Sequence, residues 1–405
     1  MKIVVSHPFG NPNVYQAALA FYERQSLLEF HTCIFSKRSI RYRSFSEING
    51  ANILTHPARE IVRIASSYLP SWGFDGRRQS SIDWVTKHFD KTVAQCFDRK
   101  SHLVYCYEDS ALGTFSAAQR FGVRKVYELP IGYHDEARAV AQEEVERDKS
   151  LLPFWLSLHE NTEKLNRKTA EVRSADHIIC ASTYCRDSII KHVNVECKIS
   201  VIPYGCNVSW QPKKWGVKDT SGPLKLVFVG RLDPRKGLHY LFEALEGLTP
   251  GSFELTIAGR WVPGYRDWLL RRRRVTFADV GQIGGGQLLR VLRENHLLVL
   301  PSLFEGFGLV ILEALACGIP VLGTERTGAP DVIENGKQGF CVKAACSEDI
   351  VQVLNMIMDN RGMLLDMGEE ARKRALVLSW SKYRQSLAAV VMGEASDEMC
   401  GSFCE

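Results

Sequence analysis

Each half of the chain opens in the same way, and that duplication limits the fold more than any other feature. Residues 2–5 form a short β-rich run, followed by the Gly/Pro loop SHPFGNPN and an amphipathic segment that starts near Val14. From Leu224 the run LKLVFVG is followed by RLDPRKG and then LHYLFEALEGL. A strand that feeds a helix through a tight loop needs a crossover before the next strand can pair, and such crossovers build parallel sheets. The runs KVYEL, ADHIICAS, FELTIAG and HLLVLPS repeat the pattern along both halves. The expected class is α/β, with two doubly wound domains whose sheets are covered by helices.

A chain of 405 residues is too long for one ordinary core, which agrees with two domains. The break is expected in IPYGCNVSWQPKKWGVKDTSGP, residues 202–223, rich in Pro, Gly and Lys and poor in periodic apolar residues. The first domain then spans 1–207 and the second 223–379. The stretch from Asp135 to Val172 carries many charges and few breakers, and reads as a long helical region on an exterior of the first domain.

Composition excludes several function classes. The fractions, 45% hydrophobic and 24% charged, are those of a globular protein. The apolar run Ile3–Val5 is too short for a signal peptide, and no run of about 18 apolar residues suggests a membrane span. A cytoplasmic protein is expected. Twelve cysteines occur without a C-x-x-C pair, so reduced thiols are expected and a metal site is not. A net charge of +5 is too mild to argue for nucleic acid. Two basic clusters stand out, Lys37, Arg38, Arg41 and Arg43, and the run Arg271–Arg274. The first, interleaved with Ile40, Tyr42 and Phe45, suits peripheral contact with an anionic membrane at its inner face or an acidic acceptor; a solvated face is the plainer reading of both.

In open α/β sheets ligands lie beyond the carboxyl ends of strands, where helix N-termini present N–H groups to anions. Two loops occupy such places. In VFVGRLDPRKGL, Arg231 and Lys236 sit on a Pro-stiffened loop from which both can reach a phosphate. In PSLFEGFGLVILEALACG, Gly306 and Gly308 allow close approach of backbone, and the helix expected from Leu309 to Cys317 aims its first N–H groups at the same crevice. Glu313 stands on that helix among Ile311, Leu312, Ala314 and Leu315, where an unpaired carboxylate is costly and must find donors. A ribose diol supplies two. Glu305, at the crevice mouth, could grip a second sugar, with a diphosphate between them. The alternative is that Glu313 pairs with a buried Arg or Lys and that Glu305 caps the helix.

These residues carry a resemblance to a known family. VFVGRLDPRKGL, LTIAG, LLVLPSLFEGFGLVILEALACGIPVLGT and GAPDVIENGKQGF resemble the family-four retaining glycosyltransferases of the GT-B fold, two Rossmann-like domains facing a cleft. The resemblance covers the second half almost throughout and includes the spacing of Glu305 and Glu313. It implies that Arg231 and Lys236 bind the donor diphosphate, Glu313 the ribose and Glu305 the transferred sugar, with Phe307, Gly308 and Leu309 at the phosphate. It further implies a UDP- or GDP-linked sugar as donor, no tightly bound cofactor, an acceptor sugar, glycan or glycolipid held by the first domain, and a final helix, about 380–393, returning to that domain.

The first half resembles the family less. A single Gly10, followed by Asn11, Pro12 and Asn13, stands where a double glycine is usual and is the candidate there for close approach to the acceptor or the donor phosphate, and Pro130 stands where many members have a histidine. His134 arrives four residues later, and His7 lies near the first loop; a solvated or capping histidine is the plainer reading of each. The family's same-face mechanism needs no histidine, because the leaving phosphate can accept the acceptor's proton. Two other functions remain open on this fold: a regulator that binds nucleotide sugar without transferring it, and a sugar-nucleotide 2-epimerase.

Overall fold

In a computed structural model, residues 1–34, 48, 52–67, 75–216, 219 and 221–394 are described. The basic cluster at 37–43 and the pair Cys400 and Cys404 lie outside them. The strands are β1 (Ile3–Ser6), β2 (Leu27–Thr32), β3 (Asn52–Thr55), β4 (Leu103–Tyr107), β5 (Arg124–Leu129), β6 (His177–Cys180) and β7 (Lys198–Val201) in the first half. The second half carries β8 (Leu224–Val229), β9 (Phe253–Ala258), β10 (Ala278–Asp279), β11 (Leu297–Leu300), β12 (Val321–Thr324) and β13 (Gly339–Val342). Among the described residues they form two sheets, ordered β3-β2-β1-β4-β5-β6-β7 and β10-β9-β8-β11-β12-β13, and every named pairing is parallel.

The central strands are buried on both faces, which is why they read as continuous apolar runs; β1, β4, β6 and β11 are buried at every position. In each sheet the strand order reverses next to the first strand, between β1 and β4 and between β8 and β11. A crevice opens beyond the strand ends at such a switch point. The helix Leu309–Ala316 follows β11 and buries Val310, Ile311, Leu312, Ala314, Leu315 and Ala316. Each large apolar side chain so buried stabilises the fold by about 1.5–3 kcal/mol.

The connection out of the first sheet and the return to it run side by side. Cys206 N–H donates to Leu378 O at 2.9 Å, and a Cβ on Gly205 would lie 2.4 Å from Trp380 N. The last described helix, Trp380–Met392, lies against the first, Pro12–Glu23, with Arg384 bonded to Glu23 at 2.9 Å and to Gln16 at 2.7 Å. No described helix is long and apolar enough to cross a membrane.

The stretch 135–172 departs from expectation in two ways. It is not one helical run: it breaks into His134–Arg147, the 3-10 turns Lys149–Phe154 and Leu156–His159, and Thr162–Ser174. Asp148 accepts from Ser150 N–H at 2.9 Å and caps the first turn, and Pro153 lacks the donor that a helix would need. Nor does it lie on an exterior. Val140, Ala141, Leu151 and Trp155 are buried in one apolar cluster with Leu238, Tyr265, Trp268 and Phe304 of the second half. Its charges could go inside because they go in paired. Glu144 accepts from His239 at 3.0 Å and from Tyr240 at 2.8 Å, and Lys168 meets Glu108 at 3.1 Å.

Candidate functional site

The loops that follow β8 and β11 meet at the switch point of the second sheet, and they meet through backbone first. Leu303 N–H donates to Arg235 O at 2.8 Å, and Gly237, at φ 68°, approaches so closely that a Cβ there would lie 1.9 Å from Pro301 O. Pro234–Lys236 is a single 3-10 turn, which delivers Arg235 and Lys236 side by side. Lys236 Nζ is hydrogen-bonded to Glu305 Oε2, and Arg235 lies 3.4 Å from Glu305 Oε1 and 3.2 Å from Phe304 O. Burial, the largest influence on Glu305, opposes its ionisation, but Lys236 and then Arg235 outweigh it and hold the carboxyl down at about 2.

Glu313 is the opposite case. It is a half-buried carboxylate with no side-chain hydrogen bond or ion pair among the described residues, and burial pushes it up to about 7. The expected alternative, a pairing with buried Arg or Lys, does not occur among those residues. Gly308 begins the helix at φ 83° with no side chain capping its N-terminus. Leu309 is its first residue, and Phe307 is buried with its ring against Gly328 and 5.8 Å from that of Tyr204.

Arg231 stands apart from the Lys236–Glu305 pair, 3.2 Å from Asp233. It borders two cavities. One, about 490 Å³, lies beyond the carboxyl ends of β8 and β9 and is lined by Gly230, Gly259, Arg260 and Ile283, with Ile82 and Leu156 from the first half. The other, about 260 Å³, lies between Arg235 and Phe304 on one side and His134 and Trp155 on the other.

The two halves touch at the same place. A Cβ on Gly306 would lie 1.9 Å from Pro130 O, and Gly306 O accepts from Ser182 Oγ at 2.5 Å and from Cys185 Sγ at 3.2 Å. Gly306 therefore has a reason to be glycine that the sequence does not reveal: it admits the loop after β5. Gly132 likewise packs on the Phe304 ring. Gly10 sits between β1 and the first helix and lines neither cavity.

His134 does line the smaller cavity, with Nε2 3.1 Å from Thr169 Oγ1 and Nδ1 3.2 Å from Asp135; burial lowers its pKa. His7 is buried, bonded to Phe9 N–H at 2.9 Å, and burial lowers it to about 3, so it is neutral at physiological pH. Sequence reasoning missed Arg235, although its place between Pro234 and Lys236 on the same loop was a usable signal. It also missed the cavity walls supplied by 154–157, which no motif marks.

Residues 212–374 match the family model of glycosyl transferases group 1. The likeness to that family lies in this segment of the second half. Glycogen synthase of Mycobacterium tuberculosis is 32% identical over 212 residues, which are 50% of this chain and 50% of that protein. The chain spans about half the length of the first curated relatives it matches. Over nearly its whole length it superposes on sucrose-phosphate synthase from Thermosynechococcus elongatus, with a TM-score of 0.67, 16% identity and coverage of 99% of this chain and 100% of that one. Anabaena HepE, solved in complex with UDP and glucose, gives 0.63, 17%, 97% and 100%. The shared architecture of two parallel-sheet α/β domains is the GT-B fold.

Proposed function

We propose that the protein is a retaining hexosyltransferase that moves a sugar from a UDP- or GDP-sugar to a hydroxyl of a sugar, glycan or glycolipid, residues 223–379 holding the donor and residues 1–207 the acceptor. The observation that carries this reading is the pair of cations Arg235 and Lys236 gathered around the ionised Glu305 at the switch point, with Arg231 on the same loop 3.2 Å from Asp233, ahead of a helix whose Gly308 cap makes no side-chain bond to its N-terminus. Its likeness to relatives that include a glycogen synthase supports the same reading.

In this reading the diphosphate takes Lys236 and the N–H groups of Gly308 and Leu309, while Glu305 turns to the hydroxyls of the hexose. Glu313 accepts from the ribose hydroxyls, and Arg231 holds the bridging or leaving phosphate. The bond from the anomeric carbon to the diphosphate breaks with its electron pair passing to the phosphate oxygen. The acceptor hydroxyl attacks the face that the phosphate leaves, and its proton passes to that same oxygen. The rate then depends on stabilising charge on the leaving diphosphate, a task of fixed cations and N–H groups in a site shielded from water.

The test is mass-spectrometric detection of UDP or GDP released from a panel of nucleotide sugars. Glu305→Ala and Arg231→Ala are each expected to slow release by about 10²-fold. Turnover unchanged by either substitution removes that residue from the mechanism. Nucleotide binding without release from any donor, whatever acceptor is added, points instead to a regulator. Interconversion of the sugar without consumption of an acceptor, followed by proton NMR, points to an epimerase.

A further inference from the structure

Tyr204 stands in the connection between β7 and β8, and its ring meets the loop that precedes the helix Leu309–Ala316. The ring is buried, with those of Phe307, Tyr383 and Trp380 at 5.8, 5.7 and 6.2 Å. Its hydroxyl reaches the first half, where it donates to Glu128 Oε1 at 2.9 Å and accepts from Asn13 Nδ2 at 3.0 Å. Glu128, on β5, is buried and also accepts from Tyr105. A buried carboxylate is costly without donors, so Glu128 holds the Tyr204 hydroxyl firmly in place.

Phe307 is gripped from two sides. From the second half, Gly328 lies so close to its ring that a Cβ there would come within 2.5 Å, and Gly328 N–H donates to Phe307 O at 2.8 Å. From the connection, Tyr204 supplies a ring inclined at 60°. Such a pair prefers a fixed geometry, so displacing one ring displaces the other. The next residue, Gly308, lies at φ 83°, and its carbonyl accepts from Ile311 N–H at 2.8 Å. The backbone that enters the helix therefore follows from where Phe307 is placed.

We propose that Tyr204, held by Glu128 and Asn13, is a positioning residue: through Phe307 it sets the direction of the Gly308 and Leu309 N–H groups, so that the first half of the chain aligns the anion cradle of the second. Its bearing on nucleotide binding rests on the transferase reading, whereas the alignment itself can be measured in the ligand-free protein.

Amide hydrogen exchange is followed by NMR on the full chain in wild type, Tyr204→Phe, Asn13→Ala and Tyr105→Phe. The amides read are those of Gly328 and Ile311, whose acceptors are the Phe307 and Gly308 carbonyls. Tyr204→Phe keeps the ring and removes its anchor, and is expected to speed their exchange about tenfold, the loss of one hydrogen bond to a carboxylate. Asn13→Ala removes only the neutral bond to the hydroxyl, and is expected to raise the same two rates by less. Tyr105→Phe takes another donor from Glu128 but leaves both bonds of the Tyr204 hydroxyl, so the two rates are expected to stay close to those of wild type. Calorimetry with UDP and GDP then gives a Kd that belongs to the folded fraction alone. Tyr204→Phe is expected to weaken it about fivefold, the worth of one misaligned hydrogen bond. Exchange unchanged in Tyr204→Phe, an equal rise in Tyr105→Phe, or a nucleotide Kd that stays put while exchange rises overturns the proposal. If wild type binds neither nucleotide the donor reading fails, and the exchange rates alone decide the alignment.

Discussion

Replacing Glu313 with glutamine separates a carboxylate kept for a ligand from one kept for stability. In the ligand-free protein burial raises Glu313 from 4.5 to about 7, with no cation offsetting it. At about 1.36 kcal/mol per pH unit, that displacement amounts to roughly 3 kcal/mol. Because the folded value lies above the unfolded one, the folded state holds the proton more tightly. Stability is therefore highest below pH 4.5 and falls as pH rises toward and through 7. Glutamine occupies the same space and never ionises. At pH 8 Glu313→Gln is expected to stabilise the ligand-free protein by up to roughly 3 kcal/mol in urea unfolding, and at pH 4.5 the two proteins are expected to match.

The same group also sets the pH dependence of binding. If ribose hydroxyls donate to the Glu313 carboxylate, the bound form is the ionised one, and nucleotide affinity weakens as pH falls below about 7. Calorimetry in two buffers of different ionisation enthalpy then shows about one proton released on binding at pH 6, and Glu313→Gln abolishes both the release and the pH slope. Glu305, held at about 2, is ionised throughout this range and contributes nothing to the slope. A Glu313→Gln protein that is less stable than wild type at pH 8 refutes the reasoning, because it means that the carboxylate has a partner in the folded state.

Two further substitutions address the seam between the halves. Gly306→Ala places a methyl where only 1.9 Å separates it from Pro130 O, so the halves must part; X-ray scattering is expected to show a larger radius of gyration, and nucleotide release a loss of at least 10²-fold, the order of one lost transition-state contact. Glu144 is held below its ordinary range: burial, the largest influence, opposes ionisation, but bonds from His239 and Tyr240 outweigh it. Glu144→Gln is expected to destabilise by about 2 kcal/mol at pH 7 in urea unfolding, the worth of a bond to a charged group. That difference is present above pH 4.5 and shrinks as pH falls below it.

The second half was legible because its constraints are local. The loop Gly230–Gly237 and the run Pro301–Leu315 each carry their own turn residues, helix start and charges, so strand, loop and helix could be placed from spacing alone. The first half is positioned by contacts distant in sequence. Nothing near His134 or Trp155 announces that 134–159 packs on Leu238, Tyr265 and Trp268, some 80 to 130 residues later in the chain. Charge density along Asp135–Val172 argued for solvent, and the argument failed because those charges are paired, across the seam in Glu144 with His239 and within the first half in Lys168 with Glu108. Gly306 was legible as a close approach, but not what it approaches.

The pairing of Lys236 with Glu305 gives the proposed site a further property. Each side chain is about 10–13% exposed, so each depends on the other for its charge to be tolerated. A diphosphate that captures Lys236 leaves Glu305 facing only Arg235 and the Gly306 N–H, at 3.4 and 3.3 Å. Hexose hydroxyls would meet the oxygen so released. On that account a bare nucleoside diphosphate pays for separating the pair and recovers only half of it, whereas a nucleotide sugar satisfies both ends. The preference for the complete donor then comes from one ion pair, built by a 3-10 turn after β8 and a glycine-flanked loop after β11. It also explains why substituting Glu305 should slow the reaction without removing nucleotide binding: its loss leaves Lys236 wholly available to the phosphate.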